Sequence, residues 1–208
     1  EVYFYNDQSP SKSINDKACS WLEKNTAKFD VVIVPDFGNG FISAGMIQKL
    51  CKHARFLAVN TQLNSGNRGY HSINRYSRAD FVSLNTPELR TATHDRHDSV
   101  ENLAKKITNQ LGAKYLAVTL GSEGALLLNK NPEKIYRTPA LSTQVLDRIG
   151  AGDTFLSLAG LCLGGNLSSE VALFVGSAAA ALDVQVVCNR EPITPVNLYK
   201  YINTLLKS

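Results

Sequence analysis

The sequence predicts an α/β fold in which a mostly parallel sheet is covered by helices on both faces. Short apolar runs alternate along the chain with stretches that repeat apolar residues at helical spacing. The strand-like runs are apolar at nearly every position, which is typical of parallel strands buried on both faces. The chain has 208 residues, of which 44% are hydrophobic and 19% charged, and it can therefore enclose a sizeable core.

The first half of the chain contains two helix patterns and several strand-like runs. The helix pattern over residues 13–28 places Ile14, Ala18, Trp21 and Leu22 on one face. The other predictions in this half are, in order, a strand-like run over 1–5, a strand over 29–34, a turn over 35–40, a helix over 42–53, and strands over 55–60 and 80–84. Ligands of such sheets bind beyond the carboxyl ends of the strands, so the loops after these strands are the places to search for a site.

The second half begins with a helix and a strand and ends in three helices. Residues 98–101 (DSVE) form a capping-box pattern with Asp98 as the cap, and Gly112 closes the helix that follows. Thr194 before Pro195 is a typical start of the last helix. The other predictions are a strand over 115–120, a turn over 121–124, a hairpin partner over 125–129, an edge strand over 135–138, and helices over about 153–163, 168–182 and 195–206.

Composition and charge argue against several classes of protein. The net charge of +4 is not gathered into a basic stripe, so we expect no nucleic-acid partner. The apolar stretch 171–187 is too short and too polar to span a bilayer, so we expect no membrane partner. No C-x-x-C spacing occurs, and we expect reduced thiols in a cytoplasmic protein. The cysteines are Cys19, Cys51, Cys162 and Cys188.

The strongest local signal lies at residues 147–155 (DRIGAGDTF). Gly150, Ala151 and Gly152 leave backbone N–H groups accessible at the positive end of a predicted helix, and this arrangement suits phosphoryl oxygens. Asp153 lies at the edge of this anion hole, where a carboxylate can accept a proton from an attacking hydroxyl. A glycine-rich turn with Asp153 as a simple helix cap would explain the same residues.

This block resembles the carboxy-terminal signature D-x-x-G-A-G-D-x-F of ribokinase/PfkB-type carbohydrate kinases. Residues 84–89 (LNTPEL) resemble the N-x-x-E stretch of the family, and residues 118–125 (VTLGSEGA) resemble its T-x-G-x-x-G turn. The resemblance implies a ribokinase-like three-layer α/β/α sandwich with a mostly parallel central sheet. It also implies ATP-dependent phosphoryl transfer to a hydroxyl of a small-molecule sugar or sugar phosphate.

The resemblance further implies a role for each matching residue. Asp153 would be the catalytic base, and the backbone of Gly150, Ala151, Gly152 and Asp153 would form the anion hole. The other implied ligands are Asn85 and Glu88 for Mg²⁺, held through water molecules, Asp147 for a monovalent cation such as K⁺, and Asn85, Thr119, Gly121, Ser122 and Gly124 for ATP.

The substrate side of the resemblance is less complete. Residues 34–40 (VPDFGNG) resemble the S-D-Y-x-K-G loop of the heptose-7-phosphate kinase branch, with Asp36 near the substrate and Asn39 in place of the Lys. Residues 59–62 (VNTQ) stand where that branch has V-D-P-K, with Asn60 as a further substrate residue. Two cationic groups of that branch are therefore absent, which argues against a heptose phosphate as the substrate but leaves the kinase motifs intact.

The resemblance extends over almost the whole chain but covers only the later part of the family. We therefore expect residues 1–208 to form a single kinase domain that lacks the N-terminal units and the lid, and that is fused to, or dimerises through, those parts. Two alternatives stay open. One is a kinase-like nucleotide-binding module with a regulatory role. The other is a Rossmann-type NAD(P) site at Gly38-x-Gly40, where Ser43 replaces the third glycine.

Overall fold

The computed structural model describes residues 10–64, 66–67, 69–142, 144–187 and 190–207, which contain a six-stranded mixed sheet. The strands are β1 (Val32–Asp36), β2 (Leu57–Thr61), β3 (Phe81–Asn85), β4 (Tyr115–Thr119), β5 (Ala125–Lys130) and β6 (Glu133–Thr138). They lie side by side in chain order. The first four are parallel, and β5 and β6 return as antiparallel hairpins, so the mostly parallel sheet is confirmed.

Seven α-helices accompany the sheet in the described part of the chain. They are α1 (Lys12–Asn25), α2 (Ala44–His53), α3 (Thr86–Thr93), α4 (Val100–Leu111), α5 (Ala151–Gly164), α6 (Ser169–Asp183) and α7 (Pro195–Leu205). Among the described residues, none of the helices has the length and apolar character needed to cross a membrane. The eight-residue helix α3 is not among the elements predicted from the sequence.

Two separate apolar clusters cover the two faces of the sheet and make the fold three-layered. On one face, side chains of β1 to β5 pack against α2, α3 and α4; Val59, Val82, Leu89 and Ile107 belong to this cluster. Because successive side chains of a strand point to opposite faces, Ala58 instead faces the other side. The predicted α/β/α arrangement is therefore confirmed.

The opposite face of the sheet is covered by α5 and α6. Phe81 of β3 and Ala117 of β4 pack there against Phe155 of α5 and Leu173 of α6. A Cβ atom added to Gly160 of α5 would lie 3.2 Å from the Cβ of Ala58, so the helix packs very close to β2. This close packing fixes where α5 begins relative to the ends of the strands.

Helix α1 shows a different surface from the one its sequence predicts. Ile14 and Trp21 are 56% and 55% exposed, and no residue of α1 is buried. The helix packs against α2, with Leu22 reaching the first apolar cluster. The predicted helical periodicity is correct, but most of the apolar face is not covered by the described residues.

One further sequence prediction, the cap of α4, changes in detail. The cap of α4 is Ser99, whose hydroxyl accepts the N–H of Asn102, and not Asp98 as predicted. Asp98 instead accepts hydrogen bonds from the Asn102 side chain and from Lys106.

The predicted free thiols are confirmed for Cys19, Cys51 and Cys162. Cys188 and the strand-like run over residues 1–5 lie outside the described residues.

Replacing Phe155 by Ala should strongly destabilise the domain, because its ring is only 1% exposed between α5 and the sheet. We expect the free energy of unfolding to fall by about 3–5 kcal/mol in a urea titration. Leu161→Ala, on the same helix at a position that is 52% exposed, should change it by less than about 1 kcal/mol. Similar losses for both variants would contradict the assignment of α5 to the core.

Candidate active site

The carboxyl ends of the parallel strands bring several predicted site residues to one edge of the sheet. Asp36 at the end of β1 lies opposite Thr61 of β2, and Asn85 at the end of β3 lies opposite Thr119 of β4. Asn60 precedes Thr61 in β2. This edge is where ligands bind in sheets of this type.

The start of α5 is a helix N-terminus without a side-chain cap. Gly150 has a φ of 93°, a left-handed conformation that favours glycine, and the helix begins at the next residue. A Cβ atom added to Gly152 would meet no atom of the described residues within 4 Å. The accessible N–H groups of the first turn and the free space beside Gly152 together fit a bound anion.

Asp153 lies in the first turn of α5 and reaches the carboxyl edge of the sheet. The Nε2 atom of Gln62, just after β2, donates to its carboxylate, at 3.4 Å from Oδ1 and 3.5 Å from Oδ2. Burial raises the pKa of Asp153, the Gln62 hydrogen bond lowers it, and the charge of Asp183 raises it. A carboxylate with a raised pKa is a stronger base, as proton abstraction requires.

The two predicted magnesium ligands form a capping box at the start of α3. The Asn85 side chain accepts the N–H of Glu88 at 2.8 Å, and the Glu88 carboxylate accepts the N–H of Asn85 at 2.8 Å. Glu88 also accepts hydrogen bonds from the N–H of Leu63 and from Asn60 Nδ2. Burial raises the pKa of Glu88, these donors lower it, and Asp153 raises it. The N-x-x-E motif is therefore also a helix-start signal, which the sequence analysis did not use.

Asn60 provides the observation that tests whether magnesium fits. Its Nδ2 donates to the backbone oxygen of Ser83 at 2.9 Å and to Glu88 at 3.4 Å. Its Oδ1 is buried and has no hydrogen-bond partner among the described residues. A buried acceptor without a donor is costly, and a water molecule bound to a hard cation would supply that donor. The group of Asn60, Asn85 and Glu88 therefore fits a hydrated Mg²⁺.

Two carboxylates, Asp147 and Asp183, lie near each other close to the start of α5. The N–H groups of Leu146 and Asp147 donate to the backbone oxygen of Val184, at 2.8 and 3.1 Å, and join the loop before α5 to the end of α6. Asp183 is only 6% exposed, and its Oδ2 has no hydrogen-bond partner among the described residues. Burial raises the pKa of Asp183, Thr154 lowers it, and Asp147 raises it. This pair fits a monovalent cation, and sequence motifs did not reveal Asp183.

Asp36 is engaged by the protein itself. Its side chain is buried and accepts hydrogen bonds from the N–H of Gly38 at 2.9 Å and from the Tyr76 hydroxyl at 3.0 Å. The guanidinium of Arg75 lies 3.3 Å from the same carboxylate and also donates to the backbone oxygen of Ile42. Asp36 thus orders the loop after β1, and its predicted contact with the substrate stays a prediction, as does that of Asn60.

The glycines of the predicted ATP turn have different surroundings. Gly121 has a φ of 63° and open space at its Cβ position, and Ser122 is exposed. At Gly124, where φ is 90°, a Cβ atom would overlap the backbone oxygen of Thr138. Gly124 is therefore required by the close approach of the β6 end, whereas the ATP contacts of Thr119, Gly121 and Ser122 stay predictions.

The geometry does not favour the Rossmann alternative. The N–H of Gly38 is already bonded to Asp36, and a Cβ atom at Gly38 would overlap the side chain of Asn67. Helix α2 begins only at Ala44, and its cap Ser43 accepts the N–H of Met46. The N–H groups of Gly38 and Met46 are therefore bonded within the protein and are not available to a pyrophosphate.

Comparison with known proteins shows the family of this chain. Residues 46–195 match the profile described as pfkB family carbohydrate kinase. The chain belongs to this family. The resemblance found in the motifs is thereby confirmed.

Similar proteins and solved structures agree with this assignment. The chain is 31% identical over 157 residues to the Bifunctional protein HldE of Magnetococcus marinus, covering 74% of this chain and 31% of that protein. It is 25% identical over 174 residues to the HldE of Campylobacter fetus, covering 82% of this chain and 37% of that protein. It thus spans about a third of the length of these relatives.

Solved structures confirm the ribokinase-like fold. The structure of Escherichia coli phosphofructokinase-2 in complex with potassium has a TM-score of 0.76 at 17% identity, and the match covers 95% of this chain and 64% of that one. Arabidopsis thaliana ribokinase complexed with ribose and ATP has a TM-score of 0.66 at 22% identity, with coverages of 92% and 59%.

Asn85→Ala should destabilise the domain even without magnesium, because it removes the cap of α3. We expect the free energy of unfolding, measured by urea titration in buffer with a chelator, to fall by about 1 kcal/mol. Asn85→Asp keeps an acceptor for the Glu88 N–H and should lose much less. An Asn85→Ala variant as stable as the parent would show that the capping box does not stabilise α3.

Proposed function

We propose that this domain transfers the γ-phosphoryl group of ATP to a hydroxyl of a sugar or sugar phosphate. The observation that carries the proposal is the position of Asp153. Its half-buried carboxylate lies in the first turn of α5, next to the uncapped helix start and the free space at Gly152. A base and an anion site are thus adjacent, as phosphoryl transfer to a hydroxyl requires.

In this proposal the backbone amides of Gly150 to Asp153 bind phosphate oxygens at the positive end of α5. These amides are fixed by the helix and need no rearrangement as negative charge moves during transfer. Asp153 accepts the proton of the attacking hydroxyl, and its raised pKa supports this role. The hydroxyl then attacks the γ-phosphorus while ADP leaves.

The cations of the proposal are assigned to the two groups with unpartnered buried oxygens. Asn60, Asn85 and Glu88 would hold the waters of Mg²⁺, which neutralises phosphate charge when it is bound. Asp147 and Asp183 would hold a monovalent cation such as K⁺ behind the start of α5. Such an ion would help to fix the conformation of the glycine turn.

We also propose that this domain works as part of a longer protein that completes the acceptor site. The chain spans about a third of the length of the HldE proteins that it resembles, which supports this view. On the acceptor side, Asn39 and Gln62 replace the two Lys residues of the similar heptose-7-phosphate kinase pattern. We therefore propose sugars and sugar phosphates as the substrate class, and no single sugar within it.

Asp153→Asn should abolish most of the phosphoryl transfer while leaving nucleotide binding nearly intact. We expect turnover to fall by about 10²–10⁴-fold, the usual contribution of a general base. ADP release by the complete protein is measured with ATP, Mg²⁺ and the most active compound from a panel of sugars and sugar phosphates. Asp30→Asn, which alters an exposed carboxylate paired with Arg55 before β1, is the control. Unchanged turnover in Asp153→Asn would exclude Asp153 as the base.

Gly152→Val should abolish binding of ATP and ADP, because the side chain fills the space assigned to the phosphates. The fold should tolerate it, since no described atom lies within 4 Å of the added Cβ. Titration calorimetry measures the affinity, and thermal melting measures the stability. Gly112→Ala introduces a side chain at a φ of 61° after α4 and should reduce stability without affecting affinity. Equal affinities in Gly152→Val and the parent would locate the phosphates elsewhere.

A further inference from the structure

Gln62 forms a direct side-chain contact across the layers to the proposed base. It follows the last residue of β2, and its Nε2 atom lies 3.4 and 3.5 Å from the two carboxylate oxygens of Asp153. One amide nitrogen placed between the two oxygens leaves their outer lone pairs free. This arrangement can orient a carboxylate without consuming its capacity to accept a proton.

The backbone around Gln62 is held on both sides. Its N–H donates to the backbone oxygen of Asp36 at 2.9 Å, and its own backbone oxygen accepts from Asn67 Nδ2 at 2.7 Å. The N–H of Leu63 donates to Glu88 at 3.2 Å. The backbone of Gln62 is therefore held in place. A residue that positions another side chain needs such a fixed backbone.

Asp153 has other carboxylates around it, and the neutral side-chain amide of Gln62 acts on its pKa in the opposite direction. Asp183 of α6 raises the pKa of Asp153, and Asp153 in turn raises the pKa of Glu88 of α3. Among the described residues, the one side chain whose contact lowers the pKa of Asp153 is Gln62. A cation in its place would form an ion pair and make the carboxylate a weaker base.

We propose that Gln62 is a positioning residue whose amide holds the carboxylate of Asp153 in the orientation that accepts the proton of the acceptor hydroxyl. The inference rests on the proposed function of Asp153 as the base. It gives a chemical reason for a glutamine at a position where the similar kinase pattern has Lys. The neutral amide orients the base and keeps it strong.

Two substitutions in the complete protein test this role: Gln62→Met removes the hydrogen-bond donor, and Gln62→Lys introduces a positive charge. Gln62→Met keeps the length but removes the donor, so kcat should fall about tenfold, the scale of a lost hydrogen bond to a charged group. The KM for ATP should stay unchanged, because Gln62 contacts the base and not the nucleotide turn. Gln48→Met, at an exposed position of α2, is the matched control and should behave as the parent.

The pH dependence gives a readout that a merely structural role would not move. When kcat is plotted against pH, its rise on the acidic side should shift to higher pH in Gln62→Met. The reason is that a contact that lowers the pKa of Asp153 is lost. We call this rise the acidic limb. In Gln62→Lys the limb should shift to lower pH, because an ion pair favours the ionised carboxylate. Carbon-13 NMR titration of the labelled Asp153 carboxyl, assigned by its loss in Asp153→Asn, should show the same opposite shifts.

The outcomes distinguish this inference from the proposed function. Opposite shifts of the NMR titration and of the acidic limb in the two variants support the role of Gln62. If neither variant shifts the titration while Asp153→Asn is inactive, the role of Gln62 is overturned and Asp153 remains the base. If the titration shifts but kcat and its acidic limb do not change, Asp153 is not the base, and both proposals fall.

Discussion

The start of α5 must lie over the carboxyl edge of the sheet, and most features of the site depend on this placement. It is set by packing: Phe155 is buried against the sheet, and Gly160 and Gly176 allow α5 to approach β2 and α6 closely. The first turn of the same helix then brings Asp153 within 3.4 Å of Gln62. A core contact and the contact to the proposed base thus belong to one rigid element.

Buried polar groups at this edge divide into two kinds. Asp36 has its hydrogen bonds made by the protein, and it stabilises the loop after β1. Asn60 and Asp183 instead each leave one buried oxygen without a partner among the described residues.

Burial raises the pKa of Glu88, Asp153 and Asp183. Each of these carboxyls therefore contributes stability that is lost as the pH rises through its folded-state pKa. Buried carboxyls with raised pKa values are typical of sites that bind cations or move protons.

The sequence predicted the strands, most of the helices and the motif at Asp153, because these depend on local periodicity and turn chemistry. Helix α3 was missed because it is short and its capping box coincides with the N-x-x-E motif. Ser99 replaced Asp98 as the cap of α4, which is a shift of one residue between two good cap formers. Gln62 and Asp183 could not be found in this way, since Gln62 meets Asp153 across 91 positions of sequence and Asp183 lies in a helix without a motif.

A crystal structure of the complete protein with Mg²⁺, a non-hydrolysable ATP analogue and the acceptor tests the central claim most directly. The proposal predicts phosphate oxygens about 3 Å from the backbone nitrogens of the Gly150–Asp153 turn and the acceptor hydroxyl at hydrogen-bond distance from the Asp153 carboxylate. Phosphates bound at another loop, for example at Gly38 to Gly40, or an acceptor hydroxyl remote from Asp153, would contradict it.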